Sequence, residues 1–221
     1  MYYTIKGIVL NSKVQGEQDK LVTIYSYEWG KFQAVVPSAK KIAAKLSSAT
    51  ELLTESEFMI FNNGFHSKIV GAKIIENNSK MKRDFKKNLY ALYATEICDR
   101  FVPYNMENRD KYSLIIRLWQ VLSDCSHQKR AFTAFVLRFL KISGYSFLDY
   151  IKNDGVLIDK NVVKSIKRLS NCSGNDIDTL EAIEDDKVWD YVESYLTKYI
   201  SRPSLSVFLQ KIETAEKTLV L

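Results

Sequence analysis

Thr4-Ile5-Lys6-Gly7-Ile8-Val9-Leu10, Gly16-Glu17-Gln18-Asp19-Lys20-Leu21-Val22 and Gly30-Lys31-Phe32-Gln33-Ala34-Val35-Val36 are the stretches whose reading decides the fold. Leu21 to Tyr25 alternates apolar and polar residues, and the other two are near-continuous apolar runs bounded by turn residues, so three short strands are predicted. Two more strand-like runs follow, Glu57-Phe58-Met59-Ile60-Phe61 and Lys68-Ile69-Val70-Gly71-Ala72-Lys73-Ile74-Ile75, with Asn62-Asn63-Gly64 between them as a hairpin turn. Five short strands in so little chain predict a small Greek-key barrel, the OB-fold, a frequent nucleic-acid binder.

The order and wording of this segment resemble the RecO family of DNA-repair and recombination-mediator proteins. The matching elements are Lys6-Gly7-Ile8-Val9-Leu10, Gly16 to Thr23, Glu28-Trp29-Gly30-Lys31, Ala39-Lys40-Lys41 with Lys45-Leu46, and Ala72 to Glu76. The likeness continues more weakly through Arg130 to Leu140 with Gly144-Tyr145, and through Tyr195 to Leu209. It implies an α+β chain, with an N-terminal five-stranded OB-fold barrel (residues 1–77) followed by an all-α domain (residues 78–221). Many members of that family carry a four-cysteine zinc module after the helix that ends near Gly144-Tyr145. This chain has Cys98, Cys125 and Cys172 only, far apart and without a CxxC, so the stretch Ser146 to Gly155 is expected to do without metal, and no cofactor is expected.

Composition sets the outer bounds. The 221 residues are 46% hydrophobic and 26% charged, an ordinary globular balance. No apolar run reaches the ~18 residues of a membrane span, and the first residues lack a signal peptide's basic-then-apolar layout. A cytoplasmic, nucleoid-associated protein without membrane contact is expected. The net charge of +6 is uneven. Residues 1–75 hold nine Lys/Arg against six Asp/Glu, residues 76–152 fourteen against eight, and residues 153–221 nine against twelve. Positive potential therefore gathers in the barrel and the first helices, which is an argument about partners.

After Glu76 the apolar period changes from two to 3.6. Phe85, Leu89, Leu92, Tyr93, Ile97 and Phe101 form one predicted stripe, ended by Pro103. Tyr112, Ile115, Ile116, Trp119 and Leu122 form a second. Phe132, Phe135, Val136, Phe139, Leu140 and Ser143 form a third, closed by Gly144. Shorter helices are predicted around Val162 to Leu169 and Val188 to Tyr199, the latter terminated near Pro203, with a last one from about Ser204 to Ala215.

Two basic segments are candidates for phosphate contact. One is the loop Lys40-Lys41-Ile42-Ala43-Ala44-Lys45, where the family resemblance would place a Gly-Ala-Arg-like run; lysine keeps the charge and loses arginine's bidentate fork. The other is Lys80-Met81-Lys82-Arg83-Asp84-Phe85-Lys86-Lys87, with Phe85 turned inward and Lys82, Arg83, Lys86 and Lys87 outward. Lys20 and Lys31 are outlying members. In each case a merely solvated basic face is the alternative. Tyr25, Tyr27, Trp29, Phe32, Phe61 and Phe65 lie near these charges, and single-strand binding pairs a cationic groove with stacked bases; strand aromatics are also core residues, and Trp29, in a turn, is the candidate for exposure. Arg130 and Arg138, flanked by phenylalanines, resemble the part of the family's helical domain that captures the acidic, aromatic-ended tail of single-stranded-DNA-binding protein (SSB).

Catalytic signals are poor. The sequence has neither a Walker-type phosphate loop nor a dinucleotide fingerprint. Cys125 and His127 are close by chance in a loop, and Glu184-Asp185-Asp186 suits the beginning of a helix. The resemblance implies a non-enzymatic protein that binds single- and double-stranded DNA, helps complementary strands anneal, and cooperates with RecR in placing RecA on SSB-coated strands. A scaffold that binds only the acidic SSB tail, and an RNA-binding OB protein, are the alternatives.

Overall fold

The computed structural model describes residues 1–15, 19–37, 46–64, 66–153 and 157–201, together with Leu205 and Leu209. Its first strand, β1 (Tyr2–Gln15), is long enough to serve two neighbours. Residues Tyr2 to Ile8 pair antiparallel with β4 (Glu55–Asn62), and Gly7 to Gln15 pair with β2 (Asp19–Ser26), across a bulge between Val9 and Asn11. Such a bulge sharpens strand twist, which lets one strand turn the corner of a barrel. β2 runs back along β3 (Gly30–Val36), and β4 along β5 (Ser67–Glu76). A parallel contact of Val35 with Lys68 closes the circle in the order β1-β2-β3-β5-β4. This is the expected five-stranded OB-fold barrel. Inward positions fill it with Ile5, Val9, Val22, Ile24, Phe32, Phe58, Ile60 and Ile69, among others. Each such side chain contributes roughly 1.5–3 kcal/mol by leaving water.

The predicted hairpin at Asn62-Asn63-Gly64 is present. The Asn62 side chain accepts from the Gly64 N–H at 2.7 Å, and the Asn63 side chain from the His66 N–H at 2.8 Å. Gly30 sits at the other tight place. Its φ is +71°, and a Cβ there would lie 2.1 Å from the Met106 carbonyl oxygen, so no other residue fits.

Among the described residues seven α-helices with assigned bounds follow: α1 (Ser79–Arg83), α2 (Phe85–Phe101), α3 (Arg109–Asp124), α4 (Gln128–Ile142), α5 (Phe147–Asn153), α6 (Lys160–Asn171) and α7 (Asp185–Leu196). None among the described residues is alone long and apolar enough to cross a membrane. The chain forms two compact units that interleave. The first comprises Met1–Lys82 and Thr95–Tyr112, the second Arg83–Ala94 and Ser113–Leu221.

In the first unit, residues 95–112 are bonded to the barrel. Asn11 donates to Asp99 at 3.1 Å, the Tyr25 hydroxyl to the Asn108 carbonyl at 2.9 Å, and the Tyr112 hydroxyl to Glu55 at 2.8 Å. Burial raises the phenol pKa values of Tyr25 and Tyr112, so both hydroxyls stay protonated donors.

The second unit is built around α4, which is buried from Arg130 to Leu137 and again at Phe139 and Leu140. Phe132 is its centre, with ring centroids 4.7 Å from Tyr93, 5.4 Å from Tyr90 and 5.1 Å from Trp189. α6 turns Val162, Ile166 and Leu169 inward, and Asp159 caps it by accepting from the Asn161 N–H at 2.7 Å.

One helical expectation needs correction, and one helix was not expected. The segment Lys80 to Lys87 is not one helix start, because α1 ends at Arg83 and α2 begins at Phe85. Asp84 occupies the break and accepts from the Lys87 N–H at 3.0 Å, an N-terminal cap. The restart rotates the stripe, and Phe85, expected inward, is 62% exposed. α5 lies in the stretch from Ser146, which the apolar periodicity does not mark as a helix; Phe147 and Tyr150 hold it against Tyr195 at 4.9 and 4.6 Å between ring centroids. The predicted helix from Ser204 to Ala215, and Pro203, lie outside the described residues apart from Leu205 and Leu209.

Candidate nucleic-acid interface

The candidate cations differ widely in availability. In the first unit, Lys20 lies on β2, opposite Val14 and Val36 in the ladder, and is exposed. Lys31 is not available. It is 5% exposed, its Nζ lies 3.1 Å from an Asp99 carboxylate oxygen, and it donates to the carbonyls of Asp99 and, at 3.2 Å, Val102. Its Nζ also stands 4.5 Å from the centre of the Tyr104 ring. These carbonyls belong to the last turn of α2 and the residue after it, where the helix's negative end faces a cation. Lys31, expected to meet phosphate, spends its donors on its own chain.

Lys82 is intermediate. Its Nζ donates to the Thr54 hydroxyl at 2.8 Å and stands 3.9 Å from Glu51. Burial pulls its pKa below the usual lysine value, and Glu51 offsets part of that. Lys40, Lys41 and Lys45 lie outside the described residues.

In the second unit, Arg83 is exposed and Lys86 half-buried. Lys87, also half-buried, donates to the Ser123 carbonyl at 3.0 Å.

The aromatic candidates are mostly structural. Tyr25 and Phe32 are buried. Trp29, expected to be exposed, is half-buried, with Tyr3 at 4.9 Å and Phe32 at 5.3 Å from it, and it closes one end of the barrel core. Tyr27 lies under the Arg109 guanidinium at 5.0 Å. Phe65 lies outside the described residues.

Arg130 and Arg138 are both turned into the second unit. Arg130 is 7% exposed and grips Asp185 with two bonds, of 3.0 and 2.9 Å, while its third nitrogen donates to the carbonyls of Ile177 and Leu180. Sequence reading gave it a partner's carboxylate; the carboxylate it meets is its own chain's. Arg138 donates to the carbonyls of Leu169, Ser170 and Cys172 at the C-terminal end of α6. One side of it lines a shallow apolar cleft with Leu114, Leu118, Phe135 and Ile177, and exposed Arg117 stands at the same cleft. Arg117 was missed in the sequence. Its signal is weak, a cation on α3 one position before buried Leu118. Gly174 makes the cleft's near wall, since a Cβ there would meet Val121 at 2.5 Å.

Cys98 and Cys125 are buried and Cys172 half-buried, and burial pushes the thiol of Cys125 up to about 11. Burial raises the thiol of Cys98 as well, so neither Cys98 nor Cys125 is poised as a nucleophile. In the stretch from Ser146, expected to do without metal, aromatic packing of Phe147, Tyr150 and Tyr195 holds α5 in place.

Residues 1–78, which include the whole barrel, match the family described as "Recombination protein O N terminal". A DNA repair protein RecO of Listeria monocytogenes is 27% identical over 139 residues, covering 63% of this chain and 54% of that protein. One from Listeria welshimeri is 31% identical over 119 residues, covering 54% and 46%. One from Moorella thermoacetica is 30% identical over 142 residues, covering 64% and 53%. The chain spans about half the length of the curated relatives it matches.

Proposed function

Since the chain belongs to the RecO family, we propose that it is a DNA-binding recombination mediator acting in repair. It binds single- and double-stranded DNA, promotes annealing, and with RecR helps load RecA on SSB-coated strands, near the nucleoid. The observation that supports this most is the closed five-stranded barrel over the residues that match the RecO N-terminal domain. The chemistry asked of the protein is modest. Two strands repel through their phosphates, and cations on a folded surface lower that repulsion without reading sequence. No bond need be made or broken. Phosphate contact falls to exposed Lys20 and Arg83, to half-buried Lys86, and to Lys40, Lys41 and Lys45; Lys82 and Lys87 contribute only by giving up bonds to Thr54 and Ser123.

Binding of single strands measured against salt tests this. With about five phosphates neutralised, log K falls against log salt with a slope of about −3.5, and replacing Lys40, Lys41 and Lys45 by Ala flattens it by about 2. An unchanged slope removes the loop from the account, and negligible binding of DNA at moderate salt removes the function.

The apolar cleft with Arg117 and Arg138 at its edge favours a second reading, capture of an acidic, aromatic-ended tail such as that of SSB. In that reading Arg117 faces the tail's carboxylates and Arg130 shapes the unit from within. Competition among labelled DNA, RNA of equal sequence and the tail peptide separates a mediator from a tail-binding scaffold and from an RNA-binding protein.

A further inference from the structure

The barrel's outer surface across β1, β4 and β5 carries a chemistry that the function above does not use. Register places Tyr2, Phe61 and Lys68 side by side on the three strands, then Thr4, Met59 and Gly71, then Lys6, Glu57 and Lys73. Ile5, Phe58, Ile60 and Ile69 are at most 3% exposed and point into the core, so by the period of two their neighbours on β1 and β4, and Lys68 on β5, point out; a bulge at Val70 shifts the phase of β5 and brings Gly71 and Lys73 level with Met59 and Glu57 on the same outer face. Tyr2 is 68% and Met59 48% exposed. The rings of Tyr2 and Phe61 lie 5.2 Å apart at 54°.

The platform is fixed. The Met1 amino group donates to the Asn62 carbonyl at 2.8 Å and the Asn62 N–H to the Met1 carbonyl at 2.9 Å, tying the beginning of β1 to the end of β4. Gly71 presents no side chain beside Met59, which leaves the middle row low.

We propose that this face is a stacking site for a single-stranded nucleic acid, with bases on Tyr2, Phe61 and Met59 and phosphates on Lys6, Lys68 and Lys73. Exposed Lys6, Lys68 and Lys73 stand against one acid, Glu57, in the three rows, so the face suits an anion. An aromatic pair beside those cations, Tyr2 exposed and Phe61 half-buried, suits one with planar rings, and bases stack on aromatic side chains irrespective of sequence. Oligonucleotides on OB-folds ordinarily lie over strands 2 and 3. This face is built from the other strands and would hold a strand separate from one bound there, as annealing demands. The proposal rests on the DNA-binding reading and adds a place to it.

Anisotropy titrations of the full chain with labelled oligo-dT, and with a duplex of equal length, test it. Tyr2→Ala weakens oligo-dT binding at least about five-fold, corresponding to ~1 kcal/mol for one stacked base, while duplex affinity holds because paired bases are not free to stack. Tyr2→Trp restores oligo-dT binding. Lys68→Gln with Lys73→Gln, on exposed sites that the fold does not need, flattens the single-strand salt slope by about 1.4. Unchanged oligo-dT affinity in Tyr2→Ala, or an equal loss on duplex, overturns the stacking face and leaves the mediator function standing. Failure of the unaltered protein to bind either DNA overturns both.

Discussion

On the barrel's strands, Lys6, Lys13, Lys20, Lys68 and Lys73 stay in solvent, and Lys31 alone turns in. In the helical unit both candidate arginines of α4 turn in, Arg130 toward Asp185 and Arg138 toward the end of α6. Backbone satisfaction explains the contrast. A closed sheet uses its own N–H and C=O groups in ladders, and its outward side chains are left to other tasks. Helices end with carbonyls that nothing inside the helix can satisfy. Arg138 serves such carbonyls, of Leu169, Ser170 and Cys172 at the end of α6, and Arg130 serves those of Ile177 and Leu180 in the connection between α6 and α7, which no ladder takes either. Lys31 follows the same rule, since its acceptors stand at the end of α2. Inward cations answer carbonyls that no ladder or helix takes up, and outward ones are those left for a polyanion.

Substitutions can break that division. Arg130→Ala has the largest expected effect: it strands Asp185 and two carbonyls in a mostly dry place, costing about 3–5 kcal/mol. Arg130→Lys recovers only part, because an ammonium cannot reproduce the planar fork. Urea unfolding measures both, and a loss below about 1 kcal/mol for the alanine variant would show that the pair is dispensable. Lys31→Met comes next, at about 2 kcal/mol, with Lys20→Gln beside it within about 0.5 kcal/mol of the parent. Equal stabilities would erase the distinction between the two lysines.

The smallest effect concerns Asp178, which accepts from the N–H groups of Ser126 and His127 and from the His127 ring at 2.9 Å. Burial raises its carboxyl pKa, but the bonds from Ser126 and His127 outweigh that and hold it below the usual carboxylate value. A depressed folded pKa means stability that is present above the unfolded value near 4 and is lost as pH falls through the folded one. Asp178→Asn should therefore flatten the acid limb of a stability-against-pH curve and leave the slope near neutrality alone. Circular dichroism across pH 2–7 reads this, and an unchanged acid limb in the variant would refute it.

Sequence reading reached furthest where signals were local. The five strands, the turn at Gly30 and the Asn62-Asn63-Gly64 hairpin each show within a few residues, and the barrel followed, while Gly16 lies outside the described residues. Lys31 shows the limit. In Gly30 to Val36 it and Gln33 are equally polar, yet only Gln33 is exposed, because Lys31 meets an Asp99 that is 68 residues away. Arg130 likewise depends on Asp185, 55 residues on. Charge is written in a residue, but its partner is not. The Phe85 error had another cause. A periodic stripe was read across a break at Asp84, and a new helix does not keep the old one's phase. α5 was invisible because its seven residues offer too few turns for a period.

The interleaving of the two units bears on how the chain matures. Residues 95–112 supply the acceptors for Lys31 and Tyr25, and the Tyr112 hydroxyl that meets Glu55, yet they follow a stretch belonging to the other unit. During translation the amino-terminal strands emerge first, as domains usually fold in order of synthesis. Here Lys31 must wait uncompensated until Asp99 and Val102 have emerged from the ribosome. Truncation after residue 78 would leave that lysine in the same unfinished state, so a barrel cut out along the boundary of the family match is an immature intermediate rather than a working fragment.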